Sequence, residues 1–572
     1  MKERYFKTFL LKIFLFGLIL FTVSCHFDGN KNLNSDDIVQ AKNPEETKDL
    51  QVSDEIVLGN KINNPFSIRT NRSIADEEPN YFYFKIRTTK LEGIDNIKQV
   101  CGDLNIIPCD YEVIQGGSSF NENLGDAEHS PWYYYVLPIN VLDSFCSSEY
   151  EIEILDEMFI SDEDIKLLSE SELLGNDNDN SLEDLDNSAR FLWFNWKSVK
   201  PYGKVTVYDE VAQQDMPVPN VRVTITQWCF THSVYTDSNG CYQFPVNYTT
   251  LLQNNALVTV WFENEHEDVM HSGFVSTSFY TQGHKNIAKL KDNTIKLANN
   301  TEAQKYGHII RAAELYRGYA NDYGVTNPKK LKIWADLNTS SGVTLMGSDV
   351  IAPSAVYMST YIGLVAGGPM ASLISGATAS LICSYIPDLV IGCKSVVYRG
   401  VRKTSTEVIY SVIFHEMAHA SHFKGLGAGA ADYWTNEYID MILGWIKVIF
   451  NGEDPEKNCY NNGESQRVCF IESWGFFFGD YLMSVYYKDY IGDNYRSILE
   501  DPFEAEYSYI YNQAYYNMIQ KGYLIKDIFG IYKKSYVISA KSFIDEFSKV
   551  QKLDTGKKEH LITLFKEKGA KL

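Results

Sequence analysis

His415, Glu416 and His419 stand in the string His-Glu-Met-Ala-His, and those residue types at that spacing can do metal-assisted hydrolysis. On an α-helix, residues four apart share a face, so two imidazoles can hold one ion while the carboxylate between them lies beside it. Such chemistry needs neutral nitrogen ligands, an open position for water and a base to take that water's proton. Zinc is the expected ion, His415 and His419 two of its ligands, and Glu416 the expected base. The approach to the string, Thr406 to Phe414, carries no charge after Glu407. A helix that is apolar before and through two histidines is expected to be buried, and buried imidazoles and carboxylates need partners that a cation supplies.

Catalytic zinc commonly keeps three protein ligands. Glu472 is the only acid between Glu464 and Asp480, and its neighbours Phe470, Ile471, Trp474 and Phe476 to Phe478 are apolar. An ionised carboxylate in such a helix is costly without a cation, which makes Glu472 the expected third ligand. Gly475 and Gly479 lie on its face and let this helix come close to the histidine helix. Two alternatives stay open. Glu437 follows Trp434 on the flank of an apolar stripe that includes Tyr438 and Ile442, and His422 shares a helical face with His415 and His419.

The His-Glu-x-x-His string among uncharged residues resembles the zincin metallopeptidases. Met417, Ala418 and Ala420 fit that pattern, while Ser421 stands where a hydrophobic residue is usual. Trp434-Thr435-Asn436-Glu437 is similar to the segment that follows the histidines in gluzincin aminopeptidases. A metzincin would carry a third histidine six residues past the second, where this chain has Gly425. The resemblance implies peptide-bond hydrolysis, a zinc cofactor, Glu416 as general base and a helical lower lobe matching the aromatic-rich tail after 491.

Other parts of the chain must position and locate this string. With 572 residues the chain is too long for one core, and its formal charge of −22 repels phosphate backbones, so no nucleic-acid partner is expected. Lys2, Arg4, Lys7 and Lys12 precede the apolar run Ile13 to Val23, which is short for a bilayer span but suits a secretory signal. The run ends Val23-Ser24-Cys25 and resembles a bacterial lipoprotein signal, with Thr22 where leucine is usual. That resemblance implies lipidation of Cys25, membrane attachment through it, and a place in the bacterial cell envelope, at the outer membrane or cell surface. Nine further cysteines suggest neighbouring disulfides, Cys101 with Cys109, Cys229 with Cys241, Cys383 with Cys393 and Cys459 with Cys469, leaving Cys146 alone.

The pattern along the chain predicts several units. Residues 26–74 read as a flexible acidic tether. Residues 75–190 read as a small α+β domain and linker, with strands at Tyr81 to Ile86, Trp132 to Leu137 and Tyr150 to Leu155. Asp177 to Ser181 begins like a calcium loop but lacks its glycine and its bidentate glutamate, so it reads as linker. Residues 199–295 alternate strand-like runs around the Asp237-Ser238-Asn239-Gly240 turn and predict an antiparallel β-sandwich, which is similar to the carboxypeptidase regulatory-like module. Residues 300–572 hold a helix from Ala303 to Tyr323, a strand at Lys330 to Ala335, and Leu389 to Gly392 as the strand expected to line the cleft. The uncharged stretch between Asp349 and Asp388 is broken by glycines and proline, so it reads as a buried helical pair or cleft wall. The fold class expected is therefore multidomain: an α+β N-terminal domain, an antiparallel β-sandwich and a mainly helical, zincin-like catalytic domain. The function expected is a zinc peptidase acting on a peptide or protein substrate. A surface adhesin or glycan-binding lipoprotein with a purely structural zinc site is the alternative.

Overall fold

The computed structural model describes residues 54–89, 91–102, 104–120, 130–161, 198–228, 230–249, 254–271, 277–346, 387–398, 401–436, 466–492, 511–568, 570 and 572. The signal segment with Cys25, the Asp177 to Ser181 loop, the uncharged stretch before residue 387 and Glu437 lie outside them. Among the described residues no helix is long and apolar enough to cross a membrane.

The N-terminal unit comprises β1 (Val57–Lys61), β2 (Tyr81–Thr88), α1 (Leu91–Cys101), β3 (Tyr111–Gln115), β4 (Tyr133–Pro138) and β5 (Tyr150–Met158). Three of its strands form an antiparallel sheet in the order β4-β2-β5, and β1 pairs with β3. Alternation along β2 sends Phe84 and Ile86 against Ile94 and Ile97 of α1, while Tyr83 joins Phe66, Met158 and Trp228 in a separate cluster. Because β1 lies at residues 57–61, ordered structure begins inside the segment expected to be tether. Cys101 and Cys109, expected to pair, are both free; the turn that separates them instead contributes Leu104 and Ile107 to apolar clusters.

The middle unit contains β6 (Ser198–Val199), β7 (Tyr202–Asp209), β8 (Gln214–Pro217), β9 (Arg222–Gln227), β10 (Phe230–Tyr235), β11 (Cys241–Gln243), β12 (Tyr248–Thr249), β13 (Asn255–Trp261), β14 (Glu267–His271), β15 (Phe279–Asn286) and β16 (Asn293–Leu297). One sheet runs β10-β9-β13-β15 and is antiparallel throughout; the other runs β11-β7-β16 with β8 added to β7. The sheets share one core built on Val205, Val207, Val223, Ile225, Val258 and Val260. The turn before β11 forms as its residues dictate: Asp237 Oδ1 accepts from the N–H groups of Asn239 and Cys241, and Gly240 takes a φ of 71°.

Two features depart from a self-contained antiparallel sandwich. Strand β16 pairs with β7 in parallel, because the chain returns to that edge after the β13 and β15 crossing rather than by a hairpin. Strand β14 touches the end of β13 and the start of β15 only through isolated bridges and pairs in parallel with β17 (Leu331–Asp336) of the next unit. The third unit also contains α2 (Glu302–Asp322), β18 (Gly342–Thr344), β19 (Leu389–Gly392), β20 (Val396–Tyr398), β21 (Val401–Lys403), α3 (Ser405–Leu426), α4 (Gln466–Ile491), α5 (Asn512–Gln520), α6 (Ile525–Tyr532), α7 (Ala540–Val550) and α8 (Thr555–Glu567). Its sheet order is β14-β17-β19-β18. Leu389 to Gly392 is therefore internal to the sheet and not the cleft-lining edge; the edge is β18, antiparallel to β19. The continuous apolar run of β19 suits a strand covered on both faces.

Helix α2 is buried along most of its length and ties the third unit to the middle one. Its Arg317 guanidinium donates to buried Glu267 of β14 at 2.5 Å and to the carbonyl of Pro328 at 2.7 Å. The hydrophobic core consequently runs without a break from the middle sheets into the helical part. Helices α5 to α8 close that part through rings such as Tyr515, Tyr532, Phe543 and Phe565.

Candidate metal centre

Helix α3 starts where Thr404 Oγ1 accepts from the Glu407 N–H at 3.2 Å, and it ends at Gly427, whose φ is 63°. Between these caps nearly every side chain from Thr406 to Phe423 is buried, so His415, Glu416 and His419 sit on a helix enclosed by others. Helix α4 crosses it. Trp474 Nε1 donates to the Ala418 carbonyl at 3.1 Å, which fixes the two helices in register. A Cβ on Gly475 would stand 2.7 Å from His419 Nε2 and 2.9 Å from His415 Cε1, and one on Gly479 would stand 3.0 Å from the His415 nitrogen. Only glycine permits this closeness at 475.

The crossing brings Glu472 to the two imidazoles. His415 Nε2 and His419 Nε2 are 3.0 Å apart, and Glu472 Oε2 lies 3.3 Å from the first and 3.6 Å from the second. These three donors form a group able to hold a metal ion. A tetrahedral zinc with bonds of about 2.0–2.1 Å separates its ligands by about 3.3 Å, so the triangle has the size that ion requires. Burial opposes ionisation of Glu472, but the two histidines outweigh it and hold the carboxyl well below the usual carboxylate range. The Glu472 side chain keeps 15% of its surface exposed and that of His415 11%, so solvent reaches the triangle from one side.

Glu416 is 1% exposed and points away from bulk water. Thr344 of the edge strand donates its hydroxyl proton to Glu416 Oε2 at 2.7 Å, with the Glu416 carbonyl 2.9 Å from the same Oγ1. Gly342, two residues earlier, has no Cβ to collide with Val412 and Glu416, and this lets β18 lie against α3. Sequence reasoning did not find Thr344 or Gly342. The one available signal was a glycine and a threonine in a short strand-like run, which is too common to point to a site.

His422 does not join the donor group. The donor group consists of His415, His419 and Glu472 without it. The fully buried ring of His422 is instead enclosed by Tyr433, Trp434 and Tyr532, at centroid distances of 5.3–5.8 Å. Burial pushes its pKa down to about 3, so it is neutral. Ser421, the departure from the zincin pattern, has a physical reason: its Oγ is 2.7 Å from the Tyr316 hydroxyl of α2, a hydrogen bond inside the core. Asp480, further along α4, is buried, and that burial pushes its carboxyl up to about 7, against the charge of Lys403.

Two imidazoles, an ionised carboxylate and a neighbouring buried glutamate can bind a divalent metal, and they can take a proton from a water beside it. Among the described residues no other cluster of histidine, cysteine, aspartate or glutamate has such a geometry. No family model, curated protein or solved structure matches the chain, so this donor geometry is what its functional reading rests on.

Proposed function

We propose that the chain is a zinc-dependent peptidase of the bacterial envelope, held there by lipidated Cys25, with His415, His419 and Glu472 as zinc ligands. In this reading the third unit is a gluzincin-like catalytic part and the middle sheets are a carboxypeptidase regulatory-like module. One observation carries it: three donors spaced for a tetrahedral ion lie beside a buried glutamate held by the edge strand. Zinc in this site supplies Lewis acidity and lowers the pKa of water towards neutrality.

The protein's own groups do the rest. Glu416 accepts the proton as water attacks a peptide carbonyl, then hands it to the leaving amine. Thr344 holds the Glu416 carboxylate in place through its hydrogen bond to Oε2. Among the described residues no strand covers the outer edge of β18, and its backbone can pair with an extended substrate next to Glu416. A purely structural zinc would need a fourth protein ligand, and among the described residues none accompanies the three.

The test replaces Glu416 with Gln, verifies zinc content by elemental analysis and assays a peptide library. Cleavage should fall by at least about 100-fold with zinc retained. Undiminished cleavage would remove Glu416 from its role.

A further inference from the structure

Helix α4 is rich in aromatic residues from Phe470 to Phe478, and those rings have different fates. Phe470, Trp474, Phe477 and Phe478 expose no surface and belong to the hydrophobic core. Phe476 is half-buried, and it is neither in that core nor among the partly buried side chains packed against it. A half-exposed ring is ordinary on a protein surface, and what distinguishes this one is where it stands.

Phe476 follows Glu472 by four residues and so shares its face of α4. Its ring meets the His415 imidazole edge to face, with centroids 4.5 Å apart and planes at 68°. Within the donor group it is Glu472 and His415 whose side chains keep 15% and 11% of their surface exposed, against 3% for His419. The side from which solvent reaches the triangle is therefore the side on which Phe476 stands.

The opposite boundary is of another kind. His415 and Glu416 are consecutive on α3, so their side chains project about 100° apart. His415 faces Phe476, while Glu416 faces Thr344 and Gly342 of β18. The approach to the donors thus has a wall of strand backbone and, across from it, a phenyl ring. An extended peptide paired with β18 carries its side chains alternately to either side, and one beside the reacting carbonyl comes to the ring. The ring offers neither a hydrogen bond nor a counter-charge. A charged side chain laid on it loses hydration without return, whereas a large apolar one removes both surfaces from water.

We propose that Phe476 sets the specificity of this centre by receiving a large apolar side chain from the residue next to the bond that is cut, a proposal that rests on the reading of the centre as a peptidase.

The experiment uses the full chain loaded with zinc and has two readouts. Cleavage of peptides carrying Phe, Leu, Ser, Asp or Lys at their two central positions is followed by mass spectrometry. Binding of the same peptides to the Glu416→Gln chain is followed by calorimetry. Phe and Leu peptides should exceed Ser and Asp peptides by about tenfold or more in kcat/KM, with the same order in binding. Phe476→Ala should remove most of that preference in both readouts, and Phe476→Leu should keep most of it, with zinc content and thermal melt close to those of the unsubstituted chain. Cleavage without the preference, or with a preference that survives Phe476→Ala, would overturn the proposal and leave the peptidase reading standing. Apolar preference in binding that Phe476→Ala removes, with no cleavage by the unsubstituted chain, would sustain the apolar subsite and overturn the peptidase reading. Loss of zinc in Phe476→Ala would assign the ring to packing of His415 alone and overturn the proposal. Neither binding nor cleavage of any peptide would overturn both.

Discussion

The middle sheets meet the rest of the chain at two junctions of opposite character. Toward the helical part the junction is dry and continuous. Strand β14 crosses into the next sheet, Arg317 closes on Glu267, and Glu210 accepts from both the N–H and the hydroxyl of Thr406 near the start of α3. Buried Asp209 accepts from Tyr486 of α4 at 3.1 Å, adding a second tie to the metal-binding helices. Toward the N-terminal unit two separate apolar clusters act as posts with a cleft between them. The difference teaches that a stretch which reads as one module need not be one energetic unit. The middle sheets belong to the body that builds the metal centre, and the N-terminal sheet is attached to it.

The largest effect that could break this contrast is deletion. A fragment of residues 300–572 lacks β14 and about a quarter of the shared core, so it should show no cooperative unfolding and bind no zinc stoichiometrically. A fragment of residues 198–572 should keep both properties, as followed by calorimetry and metal analysis. A folded 300–572 fragment would reverse the reading.

Arg317→Ala comes next. It leaves Glu267 buried without its counter-ion and should cost about 3–5 kcal/mol in urea unfolding, with metal affinity falling alongside. Across the other junction, Ile107→Ala opens a cavity in the smaller cluster and should cost about 2–3 kcal/mol. Here zinc content should stay at its normal value, and a loss of zinc would show that the junctions are coupled.

The smallest effect tests the edge strand. Thr344→Val removes one hydrogen bond to Glu416 and should lower kcat/KM about tenfold with zinc content and melting temperature nearly unchanged.

Much of the centre was legible because its residues violate their surroundings. Glu472 stands alone among apolar neighbours, and Gly475 and Gly479 interrupt an aromatic helix. Each anomaly needs a physical reason, and the close helix crossing supplies it. Strands β2, β5, β7 and β9 were legible from alternation, since each has one face in a core. Contacts between residues distant in sequence were not legible. Glu267 to His271 falls inside residues 199–295, expected to form the sandwich, and nothing local shows that its partner is Leu331 to Ala335. The placing of Leu389 to Gly392 at an edge overlooked its unbroken apolar run, which marks an interior strand. Cys101 and Cys109 are near in sequence, but that did not make them partners.

The crossing of β14 also sets an order in time. During synthesis, Glu267 to His271 emerges well before β17, and β19 follows later still. Until they arrive, β14 is an unpaired edge open to the wrong neighbour, and parallel pairing over such a separation is slow. The metal-binding helices pack against that same sheet through β18. The protein therefore has to protect a waiting strand before the helices of the donor group can dock, so folding assistance should matter more to its yield than to its final stability.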